Sequence, residues 1–600
     1  MKPIIKKTIL LAAVLVFAHM SLFAQKDTTL NKEVEVVKAY RPSISGAFKI
    51  NDAPKIEEEQ HQKPSFTYSI NSEPVFSTFS VNPLQAAKIT GKPREETGLG
   101  LIKLGAGNYG KPYADLFINT QSKTTLFGIH VKHLSSHGDV RLAGGDKVDA
   151  PFSNNLAGLS LKHNFSQAVL SFDASYDRDA FNYYGYPVDT VPARLLMKDQ
   201  QIDFFGTRQV FSKAGFKFSL GNSTRSTTAP KLGFDLNYHY FRTKTAQTEN
   251  NAEVTAHISK KANNITAMLD AGAEYYRVDS IFTNSTDTIG NQREIWLKAN
   301  PAVKFSNENA SLKLGGKFYM VTDNNRKLAI RVAPDVLLKI NPVKGIVNFF
   351  AGIDGKYNHN TYSNIAYENP FVDPFHNVKN SMTQYRFFGG FNGKFNSRTN
   401  YTASVEYSSV KDQPLYYLQA FTYPGIINVA DSVIITDNDF KILYDHLNTM
   451  KINLEFYYTA SEKLNILLTA HYYSYNTDTQ VSAWNMPSFD AKLSLGYKAT
   501  DRLQFTTDIY LVGQRKGLIL QTNEIKSTIP YNPETAQVVP FYKSYNMKAI
   551  VDLNVQGSYS ITQDFSVFAR LNNFGFQRYE RWLGYPVQSF NFLGGISYSF

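Results

Sequence analysis

The sequence predicts an all-β protein, a transmembrane antiparallel β-barrel of about 22 strands preceded by a short extended amino-terminal segment. Three observations carry this. The chain opens on a secretory-type leader; from Thr97 onward apolar and polar residues alternate with period two; and short polar connections alternate with long ones along that region.

Composition narrows the class first. Aromatic residues make up 14% of the 600 residues and charged residues 19%, with a mean hydropathy of −0.30. That is too aromatic for disorder and too polar for helical membrane spans. The absence of cysteine excludes disulfides, thiolate metal sites, a cysteine nucleophile and a lipid-bearing amino-terminal cysteine. The formal charge of +12 is mild for this length and no basic tract stands out, so nucleic acid is not an expected partner.

Residues 1–24 read as the leader, with Lys2, Lys6 and Lys7 ahead of an apolar run from Ile9 to Phe17 and the small Ala24 before Gln25. The apolar run falls short of the ~20 residues that a spanning helix needs. Residues 25–96 differ in character: Pro42, Pro54, Pro64, Pro74, Pro83 and Pro93 recur about every ten residues, a rhythm that blocks helices and central strands. An extended periplasmic or lumenal segment is expected there. Within it, Glu33, Val34, Glu35, Val36 and Val37 form a strand-like run that could add to the sheet edge of a partner protein or stay solvated.

Residues 97–600 are expected to form the barrel. Leu312, Leu314, Phe318 and Met320 fall on one face of a strand, and Ser311, Lys313, Lys317 and Tyr319 on the other. The same split occurs at Ala214, Phe216, Phe218, Leu220 and at Val551, Leu553, Val555, Tyr559. A soluble sandwich would alternate likewise, so the connections decide. Short polar turns are expected at 121–123, 165–167, 221–230, 261–264, 306–309, 341–345, 396–400, 461–463, 500–502 and 562–564. Longer insertions at 177–206, 358–382, 410–440 and 513–545 lie between them. Ten short turns with both barrel ends on the periplasmic side require twenty-two strands.

The last strand is amphipathic to its end, with Ile596, Tyr598 and Phe600 on one face. These residues are the expected assembly signal, read by the outer-membrane protein insertion machinery. Residues 551–600 resemble the closing hairpin of TonB-dependent transporter barrels, typical of the Bacteroidota. Leu571-Asn572-Asn573-Phe574, Tyr579 with Gly584-Tyr585-Pro586, and Ser597-Tyr598-Ser599-Phe600 carry the likeness, while Val587-Gln588-Ser589 departs from it. The resemblance implies a plug domain within the barrel, for which residues 25–96 are too short and too rich in proline. It also implies a TonB-like partner, and the Glu33 to Lys38 run faintly resembles the family's energy-coupling box.

Catalytic and cofactor motifs do not occur, so no enzyme activity and no cofactor are expected. His130, His133 and His137 are clustered, but on a strand 130 and 133 point to opposite faces and cannot share a metal without a bend. Phe181, Tyr183, Tyr184 and Tyr186, with Tyr416 and Tyr417, lie at or in expected outer loops. They could stack on a ligand or belong to the interfacial aromatic girdle.

These readings place the chain in the outer membrane of a Gram-negative bacterium, in contact with lipid, with a transport or channel function. The alternatives are a non-transporting structural or accessory subunit of an outer-membrane assembly or export complex, and a passive porin. A transporter would show ligand-dependent gating, and a scaffold would copurify with envelope partners and conduct little. A bare barrel of this size would leak, so something must fill it.

Overall fold

A computed structural model describes residues 99–600 apart from 143–144, 146, 186–207, 224–228, 246, 280–291, 323–326, 344, 374–377, 424–432 and 526–541. The leader, residues 25–96 with Glu33–Val37, and Tyr186 lie outside the described residues.

Among the described residues, twenty-two antiparallel strands close into one ring that begins with Gly100–Gly107 and ends with Asn591–Ser599. These two strands pair with Leu104 opposite Ile596 and Gly107 opposite Leu593, which removes both sheet edges. All ten expected short turns join neighbouring strands, and the barrel starts and finishes on the same side as those turns.

Local chemistry makes the turns tight. A side-chain oxygen at the start of the turn accepts backbone N–H groups two and three residues on. Ser122 Oγ takes Thr124 and Thr125, Asn307 Oδ1 takes Asn309 and Ala310, and Thr562 Oγ1 takes Asp564 and Phe565. Ser, Thr and Asn therefore recur there because each replaces a missing backbone acceptor.

The period-two alternation becomes an outside and an inside. Phe318, Ile330 and Val332 are neighbours on the outer wall and are 45%, 59% and 57% exposed. A continuous apolar belt of that exposure needs hydrocarbon around it. Lys313 and Lys317, on the opposite face of the same strand, reach the Asp335 carboxylate and the Gly355 carbonyl (3.0 Å) across the lumenal wall. Elsewhere on that wall Arg386 donates two hydrogen bonds to Asp354 (2.9 and 2.7 Å) and one to Glu406 (3.2 Å). The inner face thus satisfies its charges laterally, strand to strand.

Two of the expected insertions fold differently. Most of residues 410–440 continues as sheet, because the strands Thr399–Tyr423 and Val433–Ser461 run for 25 and 29 residues, well beyond the ~10 needed to cross a bilayer. Residues 513–545 contain the strand Arg515–Ile525, which forms a hairpin with Tyr542–Met547 and pairs in parallel with the tall strand at Leu418–Thr422. Leu415, Leu418, Leu518 and Ile519 are buried in clusters with other protein segments rather than facing lipid, so alternation could not distinguish an extension from a loop.

Candidate functional site: the closed outer mouth

Among the described residues, the largest buried apolar core lies among the outer connections and the outer ends of the strands. The helix Tyr362–Glu368 is its centre. Thr361 caps it by accepting the Asn364 N–H (3.2 Å), and Asn369-Pro370 stops it because proline cannot continue the ladder. Helical periodicity buries Tyr362, Ile365 and Ala366 on one side.

Aromatic residues from widely separated strands meet around this helix. Phe211 lies edge-on to Phe181 (5.0 Å between centroids) and tilted against Phe241 (5.4 Å), while Phe241 meets Tyr362 at 6.0 Å. On the other side Tyr416 and Phe440 contact Trp582 at 5.1 and 5.6 Å. Phe371 and Tyr585 join the two halves by stacking. Phe181 stands on the fifth strand of the ring and Phe440 on the sixteenth, half a circumference apart, so a core containing both spans the mouth. Burying each such side chain contributes about 1.5–3 kcal/mol, with about 0.5–1.5 kcal/mol more for a well-oriented pair.

Gly584 shapes the last of these connections. Its φ of +78° turns the chain between Trp582 and Tyr585 and returns both rings to the core, a conformation that glycine takes without strain. Arg515 fastens the same connection by donating to the Arg581 carbonyl (2.5 Å) and the Glu580 carbonyl (2.6 Å).

A polar anchor ties the helix to the wall. Glu249, fully buried, accepts hydrogen bonds from Tyr276 Oη (3.0 Å), the Ser363 N–H (2.9 Å) and Ser363 Oγ (2.6 Å), and pairs with His239 Nε2 (3.0 Å). Tyr276 Oη also accepts the Tyr362 N–H (3.0 Å). Beside this anchor His359 lies between Tyr276 and Trp296, with Nδ1 2.6 Å from Glu274 Oε1.

The outer aromatics singled out in the sequence thus divide as follows. Phe181, Tyr184 and Tyr416 belong to the mouth core or pack against it, and Tyr417 packs on a smaller cluster with Leu415, Trp484 and Leu518. Tyr183 donates to the Val372 carbonyl (3.2 Å) and Tyr184 to that of Pro586 (2.9 Å); burial raises both phenols above their ordinary pKa. Tyr416 and Tyr417 lie on a strand extension, not in a loop. His130 faces the lumen and bonds Asp115 (2.8 Å), His133 faces outward and bonds Asn155 (2.7 Å), and His137 reaches the Gly110 carbonyl (3.1 Å), so the three do not converge. Ile596, Tyr598 and Phe600 face outward on the closing strand.

Sequence reasoning missed Glu249, Glu274, Tyr276, Trp296 and His359, which come together from separate strands and one connection. One signal was available: Trp296 sits in the polar register of its strand, between Glu294 and Lys298, where a lipid-facing tryptophan would not be.

No family profile matches the sequence, and no curated protein matches it either. Solved structures do. The FrpB iron transporter from Neisseria meningitidis (F3-3 variant) is similar at a TM-score of 0.59 and 10% identity, covering 84% of this chain and 82% of that one. The pyoverdine outer membrane receptor FpvA from Pseudomonas aeruginosa PAO1 gives 0.56 and 12%, covering 85% and 79%. The copper transporter OprC gives 0.55 and 12%, covering 84% and 80%. At these identities the likeness is one of fold. Together with the apolar belt it makes this chain a twenty-two-stranded outer-membrane barrel.

Proposed function

We propose that the chain is an outer-membrane transport barrel of the TonB-dependent transporter type, shut at its outer mouth by its own connections. The observation that supports this is the pairing of a polar, charge-matched lumenal wall with an apolar core spanning one end of it. A wall of that chemistry suits a hydrated conduit, and a closure assembled from connections can rearrange while the ring stays intact. Glu33–Val37 is the segment that would pair with a TonB-like protein in the periplasm. Iron, copper and pyoverdine belong to the similar structures.

Conductance in planar bilayers tests the reading. The double variant Phe371→Ala, Tyr585→Ala should insert and remain heat-modifiable yet conduct more than the wild type, most clearly when residues 25–96 are also deleted. If that deleted double variant is folded and conducts no more than wild type, the conduit reading fails. The closure also suits the second reading, a non-transporting subunit of an envelope complex, for which affinity purification should recover stable partners and no variant should conduct.

A further inference from the structure

His359 comes from a connection, yet its side chain is only 9% exposed and sits in a box built by two neighbouring wall strands. Tyr276 meets the ring edge-on at 4.5 Å and Trp296 covers it at 4.7 Å. Glu274 receives Nδ1 at 2.6 Å. Nε2 has no hydrogen-bond partner and stops 3.8 Å from Glu294 Oε2. Both carboxylates are buried and held independently of His359. Glu274 accepts from Asn251 (2.8 Å) and pairs with Lys298, while Glu294 accepts from Gln292 Nε2 (2.7 Å) on one oxygen and from Trp296 Nε1 (2.8 Å) and Asn380 (2.8 Å) on the other.

Lys298 is shared by Glu253 and Glu274, so with Glu294 three carboxylates stand beside one ammonium, and the site favours a second cation because an uncompensated buried charge is costly. The two aromatic rings around the position that His359 takes favour a flat, weakly hydrated one. Imidazole fits the rings and hydrogen-bonds Glu274, but its Nε2 stops 3.8 Å short of Glu294. A guanidinium group presents N–H donors on adjacent edges of a rigid fork and could satisfy Glu274 and Glu294 together.

We propose that the box formed by Tyr276, Trp296, Glu274 and Glu294 is a binding site for the guanidinium group of a ligand, such as an arginine side chain in a peptide, and that His359 occupies it as an internal competitor. Ligand entry expels His359 and loosens the helix Tyr362–Glu368 that follows it. The inference rests on the mouth closure and not on conduction, so binding in detergent tests it separately from transport.

Calorimetric titration of the full-length chain with methylguanidinium is the direct experiment. The His359→Ala variant should bind it saturably, and the wild type about tenfold more weakly because the competing residue must first leave. Glu274→Gln in the His359→Ala background should abolish binding, and neutral urea should not bind any variant. Equal responses with and without Glu274, or urea binding as well as methylguanidinium, would overturn the proposal. If His359→Ala does not fold, Ile365→Cys in an otherwise unaltered chain serves instead. Millimolar methylguanidinium, but not urea, should speed its maleimide labelling, and no acceleration overturns the proposal equally.

Discussion

Phe371 stacks face to face on Tyr585, with ring centroids 3.6 Å apart and an interplanar angle of 19°, and this contact joins the helix-bearing connection to the last outer connection of the chain. Phe371→Ala removes that stack and its edge contacts to Phe181 and Tyr184. Truncating a packed phenylalanine costs about 3–5 kcal/mol. The loss should fall on the closure and not on the ring, whose strands keep their hydrogen bonds. Limited proteolysis should therefore cut within 360–373 much faster than in wild type, with heat-modifiability unchanged.

Glu249→Gln tests the polar anchor. The carboxylate only accepts, and it faces hydrogen bonds from Tyr276 and Ser363 together with His239; an amide would turn a donor toward groups that also donate. Breaking a buried, charge-assisted network of this kind costs about 3–5 kcal/mol. Hydrogen exchange at Ser363 and Asn364 should rise sharply, with amides of the strand Ala310–Thr322 unaffected.

Glu368 is expected to make the closure sensitive to pH. Burial raises its carboxyl from the ordinary 4.5 to about 7. The closed state then keeps a proton that the opened state releases, so stability is greatest below pH 4.5, falls as pH rises from there, and levels off above about 7. Bilayer recordings should show more frequent opening at pH 8 than at pH 5. Glu368→Gln should flatten that dependence; a dependence of unchanged size would assign it to another group.

Phe318 and Lys317 are adjacent in sequence and opposite in environment, the first on the belt and the second bonded to the Gly355 carbonyl inside the ring. An arginine at 318 should cost about 2–4 kcal/mol and one at 317 far less. Because the chain has no native cysteine, Phe318→Cys and Lys317→Cys can be compared directly with a water-soluble maleimide. Only the second should react readily.

The ring was legible in the sequence because the constraints that set it are local. A lipid-facing strand must alternate, as Leu312 to Met320 does, and a tight turn needs a side-chain acceptor, as at Ser122, Asn307 and Thr562. The mouth closure was not legible, because Phe181, Tyr362, Phe440 and Tyr585 become one core only after the ring brings strands half a circumference apart to the same rim. Alternation also breaks down above the membrane. From Pro414 to Gln419 both faces of the tall strand are buried or half-buried, and an apolar residue there carries no sign of which side it faces.

The final expectation concerns the seam. Gly100 and Phe600 exchange both backbone hydrogen bonds, at 2.9 and 3.0 Å, and the Phe600 ring lies over Gly100 so closely that a Cβ there would sit 2.3 Å from it and 2.8 Å from the Phe117 carbonyl. The seam is therefore fitted to a residue without a side chain at 100, covered by the ring of Phe600. Gly100→Val should push the ring away and strain the first pairing of the seam, while Tyr598→Asp places a charge on the lipid-facing side of the closing strand, where Tyr598 is 48% exposed. Both variants should accumulate as uninserted, protease-sensitive protein, and removal of Phe600 should lower the heat-modifiable fraction. Gly100→Ala is the graded control, since its single methyl meets the movable ring first and should insert at an intermediate level. Full insertion of Gly100→Val and Tyr598→Asp alike would show that closure does not depend on the fit between the first and last residues of the ring.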